Sequence, residues 1–160
     1  MSEIKLNIGC GDKILPNYIN VDVRPMTGVD VVHDLNQPLP FADNYADFIL
    51  ASDVLEHFPM AQTDSLLKDW ARVLKPGGSI HVRVPNMELI CERLYKSVID
   101  PKELIILIYG GQEYEFNFHK AGFTKPMLGL ALARAGCSMI TKIWDSDHNT
   151  NMIAVKQVSA

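Results

Sequence analysis

One short stretch near the start of this chain constrains its fold most strongly. An apolar segment at residues 4–8 runs directly into Gly9-Cys10-Gly11, and the next apolar segment carries the acid Asp22 at its end. In open parallel sheets, ligands bind beyond the carboxyl ends of the strands. Glycine lets the backbone approach a ligand closely, and a carboxylate can accept two hydrogen bonds from the vicinal diol of a ribose. The stretch therefore predicts a nucleoside site.

Residues that are missing narrow the choice of nucleoside. A dinucleotide fingerprint would need a third glycine where Ile14 stands, and Pro16 prevents a regular helix between the first two strands. Without a helix N-terminus there is no seat for a pyrophosphate, and no Gly-Lys-Ser/Thr follows to form a Walker-type loop. The expected ligand has a ribose but no phosphate, which suits S-adenosylmethionine. A nicotinamide-dependent enzyme is the least favoured alternative.

Apolar periodicity and turn residues predict strands and helices in alternation. Strands are expected at residues 4–8, 19–23, 29–33, 47–51 and 79–84. Turns rather than helices should link the first four. Helices are predicted from a cap at Thr63 or Asp64 up to Pro76-Gly77-Gly78, and then at residues 87–98, 102–109 and 125–135. Two last strands at 138–144 and 152–158 should form an antiparallel hairpin around residues 145–151.

These elements predict an α/β, Rossmann-like fold. Its sheet should have seven strands, mostly parallel with the last strand reversed, and its crossover helices should be reduced in the first half of the chain. The whole chain, residues 1–160, is expected to form one domain, since this length suffices for one sizeable core. A sheet face left open by missing helices is a candidate surface for self-association into a homo-oligomer.

Composition excludes several classes of partner. The net charge of −4 leaves no electrostatic footprint for nucleic acid or an anionic membrane, and no apolar run is long enough to span a bilayer. Three widely spaced cysteines, together with a start that resembles no secretion signal, indicate a cytoplasmic protein with reduced thiols. No group of His, Cys and acidic residues has the spacing of metal ligands, so no metal site is predicted.

Several motifs then appear in a fixed order along residues 4–86. They are Leu-Asn-Ile-Gly-Cys-Gly, Asp22, Asp34-Leu35, Leu39-Pro40-Phe41, Asp53-Val54-Leu55-Glu56-His57 and Leu74-Lys75-Pro76-Gly77-Gly78. In this order they resemble the type-11 group of class I S-adenosylmethionine-dependent methyltransferases. Residues 15–22 and 110–124 are similar to compact bacterial members of that class, which are often associated with cell-surface polysaccharide synthesis.

The resemblance implies S-adenosylmethionine as methyl donor and S-adenosylhomocysteine as product. It also implies a set of cofactor contacts. Gly9 and Gly11 would lie along the methionine and ribose, with Cys10 as a small spacer, and Asp22 would bind the ribose hydroxyls. Val23 would lie against the adenine, Asp34 would bind its amino group, and Leu35 would lie beside the ring. The backbone of Ser52 and Asp53 would lie beside the sulfonium.

Two histidines are candidate catalytic residues. His57 follows the fourth strand, close to the expected methyl group, and is a candidate general base or else a hydrogen-bonded residue at a helix start. His119 lies in an aromatic loop at residues 112–123, where it would bind or deprotonate the acceptor. The leading hypothesis is direct in-line methyl transfer to a small-molecule or sugar-type acceptor. The alternative is a non-catalytic module that binds S-adenosylmethionine or S-adenosylhomocysteine and acts through a partner.

Overall fold

A computed structural model describes residues 3–158 of the chain, whose strands form a single sheet. In chain order the strands are β1 (Lys5–Ile8), β2 (Ile19–Asp22), β3 (Val31–Val32), β4 (Ala46–Ser52), β5 (Leu74–Pro85), β6 (Met139–Ser146) and β7 (Asn149–Val155). Their spatial order is β3-β2-β1-β4-β5-β7-β6. Strands β1 to β5 pair in parallel, and β7 pairs antiparallel with both β5 and β6. The predicted seven-strand sheet with a reversed last strand is confirmed.

The strand order creates a switch point in the middle of the sheet. From β1 the chain moves outward to β2 and β3, and it then crosses back to place β4 on the other side of β1. Neighbouring connections therefore diverge at the carboxyl ends of β1 and β4, which is where ligands bind in open α/β sheets. No helix links β1 to β2, β2 to β3 or β3 to β4, so the predicted reduction of crossover helices is confirmed.

Four helices complete the described part of the chain: α1 (Thr63–Val73), α2 (Met87–Tyr95), α3 (Pro101–Tyr109) and α4 (Lys125–Arg134). Helices α1 and α4 pack against each other and against β5 and β7. Side chains that alternate along the strands meet the apolar stripes of both helices, which buries a core that includes Leu6, Ile8, Ile49, Val82, Leu67, Trp70, Leu128 and Leu132. None of the described helices has the length and apolarity needed to cross a membrane.

The other face of the sheet is more open. Leu50 of β4 lies beside His81 of β5, which in turn lies beside Ile153 of β7, and all three side chains are only partly buried. Tyr18 and Phe48 form an edge-on aromatic pair on the same sheet, with ring centroids 6.3 Å apart. The turns that replace the crossover helices from β1 to β2 and from β2 to β3 leave this face without the cover that such helices provide, whereas the connection from β3 to β4 runs beside α1 on the opposite face.

Some predicted strand bounds were wrong. Strand β3 has two residues rather than 29–33, and just before it the Asp30 carboxylate, rather than a backbone carbonyl, accepts the N–H of Asn20 in β2 at 2.8 Å. Strand β5 begins at Leu74 rather than residue 79, since Pro76-Gly77-Gly78 enters the sheet through a register shift opposite Ala46 and Phe48. The final hairpin turns within Asp147-His148, so its strands reach well into the predicted loop at 145–151.

Helix ends also differ from their predictions. Helix α1 begins after Gln62 without a side-chain cap, and Asp64 instead pairs with Arg134 of α4 at 2.8 Å. Helix α2 ends at Tyr95 rather than at residue 98, because Ser97 adopts a left-handed backbone conformation with φ of 54°. At α4 the predicted cap is present, since Thr124 Oγ1 accepts the Met127 N–H at 3.4 Å.

Candidate functional site

A cavity of about 540 Å³ opens at the carboxyl ends of β1, β2 and β4. Its volume lies within the range of small-molecule sites. Every residue that the sequence singled out for cofactor or acceptor lines it: Gly9, Cys10, Gly11, Asp22, Val23, Asp34, Leu35, Ser52, Asp53, His57 and His119. The topology therefore brings together residues that come from five separate stretches of the sequence.

The glycine loop after β1 is pressed against the segment that follows β4. Gly9 has φ of +62°, and a Cβ at this position would lie 2.5 Å from Val54 Cγ2. Real Cβ atoms do not come this close to a neighbour, and the left-handed region also disfavours side chains. Gly11 has φ of +55°, and its Cβ would meet the Arg24 guanidinium at 3.2 Å. The loop is thus a cradle that only residues without a Cβ can form.

Asp22 lies at the floor of the cavity with 6% of its surface exposed. Its Oδ2 accepts the Gly11 N–H at 2.8 Å, and its Oδ1 accepts the backbone N–H of Arg24 at 2.9 Å and the Arg24 Nε–H at 3.2 Å. A carboxylate offers about four acceptor sites, so about one of them remains. Two ribose hydroxyls therefore fit only if the Arg24 side chain withdraws. The sequence had not indicated this role for Arg24.

Arg24 also connects the end of β2 to the late aromatic loop. Its guanidinium lies 4.6 Å from the centroid of the Tyr114 ring, a distance typical of cation–π contacts. Besides Tyr114, this loop lines the cavity with Glu115, Phe116, Asn117 and Lys120. The segment at residues 114–120 therefore supplies one wall of the cavity.

The end of β4 carries a strained acid. Asp53 has φ of 58°, a conformation that is uncommon outside glycine but tolerated by aspartate. Its carboxylate is held by Arg83, by Lys13 Nζ at 3.3 Å and by the Ser52 hydroxyl at 3.3 Å, while its N–H donates to the Arg83 carbonyl. These bonds fix the backbone of Ser52 and Asp53 at the edge of the cavity.

Asp34 has a local structural role in addition to any contact with a ligand. Its Oδ1 accepts the backbone N–H of Asn36 at 2.9 Å and the Asn36 side-chain amide at 2.8 Å, which closes a tight turn after β3. The neighbouring Leu35 is buried in the main core and also lines the cavity. The adenine contacts assigned to these two residues stay a prediction.

Cys10 fits the role of a small spacer. It is 4% exposed, and burial, together with the negative charge of Asp22, raises the pKa of its thiol to about 11. The thiol is therefore protonated at neutral pH and is a poor nucleophile.

The two candidate histidines contact each other in the lining of the cavity. Their ring centroids are 4.9 Å apart in an edge-on arrangement. Nδ1 of His57 lies 3.1 Å from the Phe118 carbonyl, and Nδ1 of His119 lies 3.0 Å from the Leu107 carbonyl. Each carbonyl can only accept, which assigns the proton to Nδ1 and the lone pair to Nε2 of each ring. Burial lowers the pKa of both histidines, so both rings are neutral at pH 7.

Glu56 is a third titratable group in this cluster, and the sequence analysis missed it. It lies in a short 3₁₀ turn, Leu55–His57, is 1% exposed, and neither carboxyl oxygen has a hydrogen-bond partner among the described residues. Burial, reinforced by the charge of Asp53, raises the pKa of Glu56 to about 8. The signal in the sequence was an acid directly before a candidate base, inside an otherwise apolar Val-Leu-Glu-His stretch.

The backbone of Glu56 also holds the late loop in place. Its carbonyl oxygen accepts the N–H of Lys120 at 2.7 Å and the N–H of Ala121 at 3.1 Å. These two bonds bring His119 next to His57, although the residues are far apart in sequence. One carboxylate oxygen of Glu56 and one ring nitrogen of each histidine lie within 4.8 Å of one another.

Comparisons with known proteins agree with this geometry. Residues 6–82 match the type-11 family described as a methyltransferase domain. Similar solved structures include an S-adenosylmethionine-dependent methyltransferase of Methanosarcina mazei, with 19% identity, a TM-score of 0.65, and coverage of 99% of this chain and 95% of that one. Another is the 1,6-didemethyltoxoflavin-N1-methyltransferase of Burkholderia thailandensis with bound 1,6-didemethyltoxoflavin and S-adenosylhomocysteine, with 17% identity, a TM-score of 0.64, and coverage of 97% and 71%.

A third similar structure comes from Bordetella parapertussis, with 17% identity and a TM-score of 0.67. It matches 97% of this chain, which spans only 62% of the length of that protein. No curated protein matches the sequence. At these identities the structural likeness establishes the fold alone, and the match to a methyltransferase domain is confined to residues 6–82. Residues 6–82 thus match a methyltransferase domain, and the fold is that of S-adenosylmethionine-dependent methyltransferases of known structure.

Proposed function

We propose that this chain, acting as one domain over residues 1–160, transfers a methyl group from S-adenosylmethionine to a hydroxyl oxygen of a small molecule or sugar. The observation that carries the proposal is the shared cavity. It combines the glycine cradle and Asp22 at one end with His57 and His119 at the other. A donor and an acceptor bound in one enclosed space can react largely through positioning.

The residues of the cavity fit the proposed cofactor. Gly9 and Gly11 leave room for a ligand directly on the backbone, and the Asp22 carboxylate is fixed in orientation by the Gly11 N–H. Val23 and Leu35 supply apolar surface for a base, beside Asp34. When bound, S-adenosylmethionine supplies an electrophilic methyl group on its sulfonium. Ser52 and Asp53 would border that sulfonium, with the fixed carboxylate of Asp53 close to the positive charge.

The aromatic loop favours a ring-shaped acceptor that carries hydroxyl groups. Tyr114 and Phe116 line the cavity with roughly two-fifths of their surfaces still exposed, so both rings can stack against the apolar face of a sugar. Glu115, Asn117 and Lys120 add hydrogen-bonding groups next to these rings. A saccharide intermediate of cell-surface polysaccharide synthesis combines both features, in keeping with the family resemblance.

His57 and His119 are the proposed groups that act on the acceptor. Both rings are neutral at pH 7, and each directs its lone pair through Nε2, so either can take the proton of a hydroxyl as it attacks the methyl group. Protonation of these rings at lower pH would abolish this ability. The three unpaired cysteines, two of them buried, are in keeping with an activity in the reducing cytoplasm.

The test is acceptor-dependent formation of S-adenosylhomocysteine. Purified protein is incubated with S-adenosylmethionine and a panel of free sugars, nucleotide sugars and hydroxylated aromatic compounds, and with cell extract. His119→Gln should lower the rate by roughly 10²- to 10⁴-fold, the usual contribution of a general base. Asp64→Ala, which changes an exposed acid outside the cavity, should leave the rate unchanged. Cofactor binding without turnover on any acceptor would contradict the proposal and favour the non-catalytic alternative.

A further inference from the structure

Glu56 poses a problem that the proposed function does not solve. Its carboxyl group is buried at 1% exposure, and neither oxygen meets a hydrogen-bond donor among residues 3–158. Leaving such a group unpaired costs free energy, so buried carboxylates are normally paired or bound to a metal ion. The neighbouring Asp53 is already held by Arg83 and Lys13, which leaves Glu56 as the uncompensated acid of the cluster.

The groups that face Glu56 are metal ligands by their chemistry. One of its oxygens and one ring nitrogen each of His57 and His119 lie within 4.8 Å of one another. Two imidazoles and one carboxylate form the donor set of many sites for zinc and for other first-row divalent ions. Three protein ligands also leave coordination positions open, as in catalytic rather than structural sites.

The hydrogen bonds around both histidines match the arrangement found at metal sites. Histidine ligands usually donate their second ring N–H to a carbonyl or carboxylate, which fixes the tautomer and the orientation of the ring. Here Nδ1 of His57 donates to the Phe118 carbonyl, and Nδ1 of His119 donates to the Leu107 carbonyl. Both Nε2 atoms therefore keep their lone pairs for an ion, and the rings are already held by their outer partners.

We propose that Glu56, His57 and His119 bind one divalent transition-metal ion of the zinc class through a carboxylate oxygen and the two Nε2 atoms. Tetrahedral zinc with bonds of about 2.1 Å holds its ligand atoms about 3.4 Å apart, so the cluster contracts by up to about 1.4 Å on binding. His119 lies on a loop, and His57 ends a three-residue turn, so small movements of both suffice. Both histidines also line the cavity.

This inference deepens the proposed function and rests on it for the role of the ion. An acceptor hydroxyl at an open position would release its proton to solvent water more easily, because a divalent ion lowers the pKa of a bound oxygen. The resulting alkoxide would take the methyl group as the methyl–sulfur bond breaks, leaving neutral S-adenosylhomocysteine. The two histidines would then act on the acceptor through the ion rather than by taking the proton directly.

The test measures binding of the metal alone, without methyl transfer. Tag-free protein is stripped with EDTA and titrated with Zn²⁺ by calorimetry, and the metal content after dialysis is measured by mass spectrometry. Wild type should bind one ion per chain. His119→Ala and His57→Ala should each lose more than about 100-fold in affinity, beyond the 10- to 100-fold caused by loss of an outer-shell partner. Glu56→Gln, which keeps the shape of the side chain, should weaken binding at least about 10-fold.

His33→Ala is the matched control, since His33 bonds to the Gln37 carbonyl and does not line the cavity. The His33→Ala variant should bind Zn²⁺ like wild type. Wild type loaded with Co²⁺ should show the visible absorption of a tetrahedral site, whereas His119→Ala treated in the same way should not. Less than one ion per chain in wild type, or equal binding by the His33 and His119 variants, would overturn the proposal. Metal binding without methyl transfer would instead count against the proposed function alone.

Discussion

Replacement of Gly9 by alanine tests how tightly the cofactor loop is built into the sheet. The new Cβ would lie 2.5 Å from Val54 Cγ2 and 2.9 Å from Val54 Cγ1. Its left-handed conformation should cost about 1–2 kcal/mol, and the overlap with a buried side chain about 1–3 kcal/mol more. Gly9→Ala should therefore lower the free energy of unfolding by roughly 2–5 kcal/mol.

Gly77→Ala separates the two contributions. Gly77 has φ of +78° but no atom within 4 Å of a built Cβ, so this variant should cost only the conformational part, about 1–2 kcal/mol. The Val54→Ala background supplies the second comparison, because it removes both methyl groups that the new Cβ would meet. There Gly9→Ala should also cost about 1–2 kcal/mol, which gives a favourable coupling in a double-mutant cycle.

The assay is equilibrium unfolding in guanidinium chloride, followed by tryptophan fluorescence. Gly9→Ala should in addition weaken binding of S-adenosylmethionine, whereas Gly77→Ala should not, because Gly77 lies outside the cavity. Equal destabilisation by the two single substitutions, or the same cost of Gly9→Ala with and without Val54, would refute the close packing of the loop.

Two further predictions concern the thiols and the main ion-pair network. At pH 8 one thiol per native chain should react rapidly with Ellman's reagent, because Cys91 is exposed. Burial raises the pKa of Cys10 and Cys137 to about 11, which leaves about one thousandth of each as the reactive thiolate. Three rapidly reacting thiols would contradict this prediction. Arg72→Lys should lower the free energy of unfolding by about 1–2 kcal/mol in the same guanidinium assay. Lysine cannot reproduce the hydrogen bonds of the guanidinium to the carbonyls of Leu39 and Phe41 and to the carboxylates of Asp43 and Asp69. An unchanged unfolding midpoint would show that these bonds do not stabilise the fold.

The sequence predicted the cofactor end of the cavity well because its signals are local. Gly9 and Gly11 follow a buried strand directly, and Asp22 ends the next one, so topology alone brings these residues to one edge of the sheet. The same logic located Ser52 and Asp53 after β4. Their positions in the cavity are now described, whereas the individual contacts with a cofactor stay predictions.

The acceptor end depended on contacts that sequence spacing does not encode. His119 approaches His57 because the N–H groups of Lys120 and Ala121 donate to the Glu56 carbonyl. No local pattern in the sequence predicts these two hydrogen bonds. The sequence predicted no metal site for the same reason. Glu56 and His57 lie in a 3₁₀ turn and His119 lies in a distant loop, so their spacing along the chain does not resemble that of metal ligands.

The predicted ends of helices and strands were wrong where side chains or special backbone conformations replaced regular hydrogen bonds. The Asp30 carboxylate accepts the Asn20 N–H of β2 just before β3 begins, and the left-handed Ser97 ends α2 early. Arg24 was missed for a related reason. Its ion pair with Asp22 depends on how the chain turns after β2, which hydrophobic periodicity does not describe.

Calorimetric titration measures whether Asp22 and the glycine cradle hold S-adenosylmethionine. S-adenosylmethionine and S-adenosylhomocysteine are titrated into wild type, Asp22→Ala and the exposed-acid control Asp64→Ala. Losing hydrogen bonds to a charged carboxylate should cost about 1.5–3 kcal/mol, a weakening of roughly 10- to 150-fold. We expect this weakening for Asp22→Ala only, whereas Asp64→Ala should bind both ligands as tightly as wild type. Equal affinity of all three proteins, or no binding of either ligand to wild type, would contradict it.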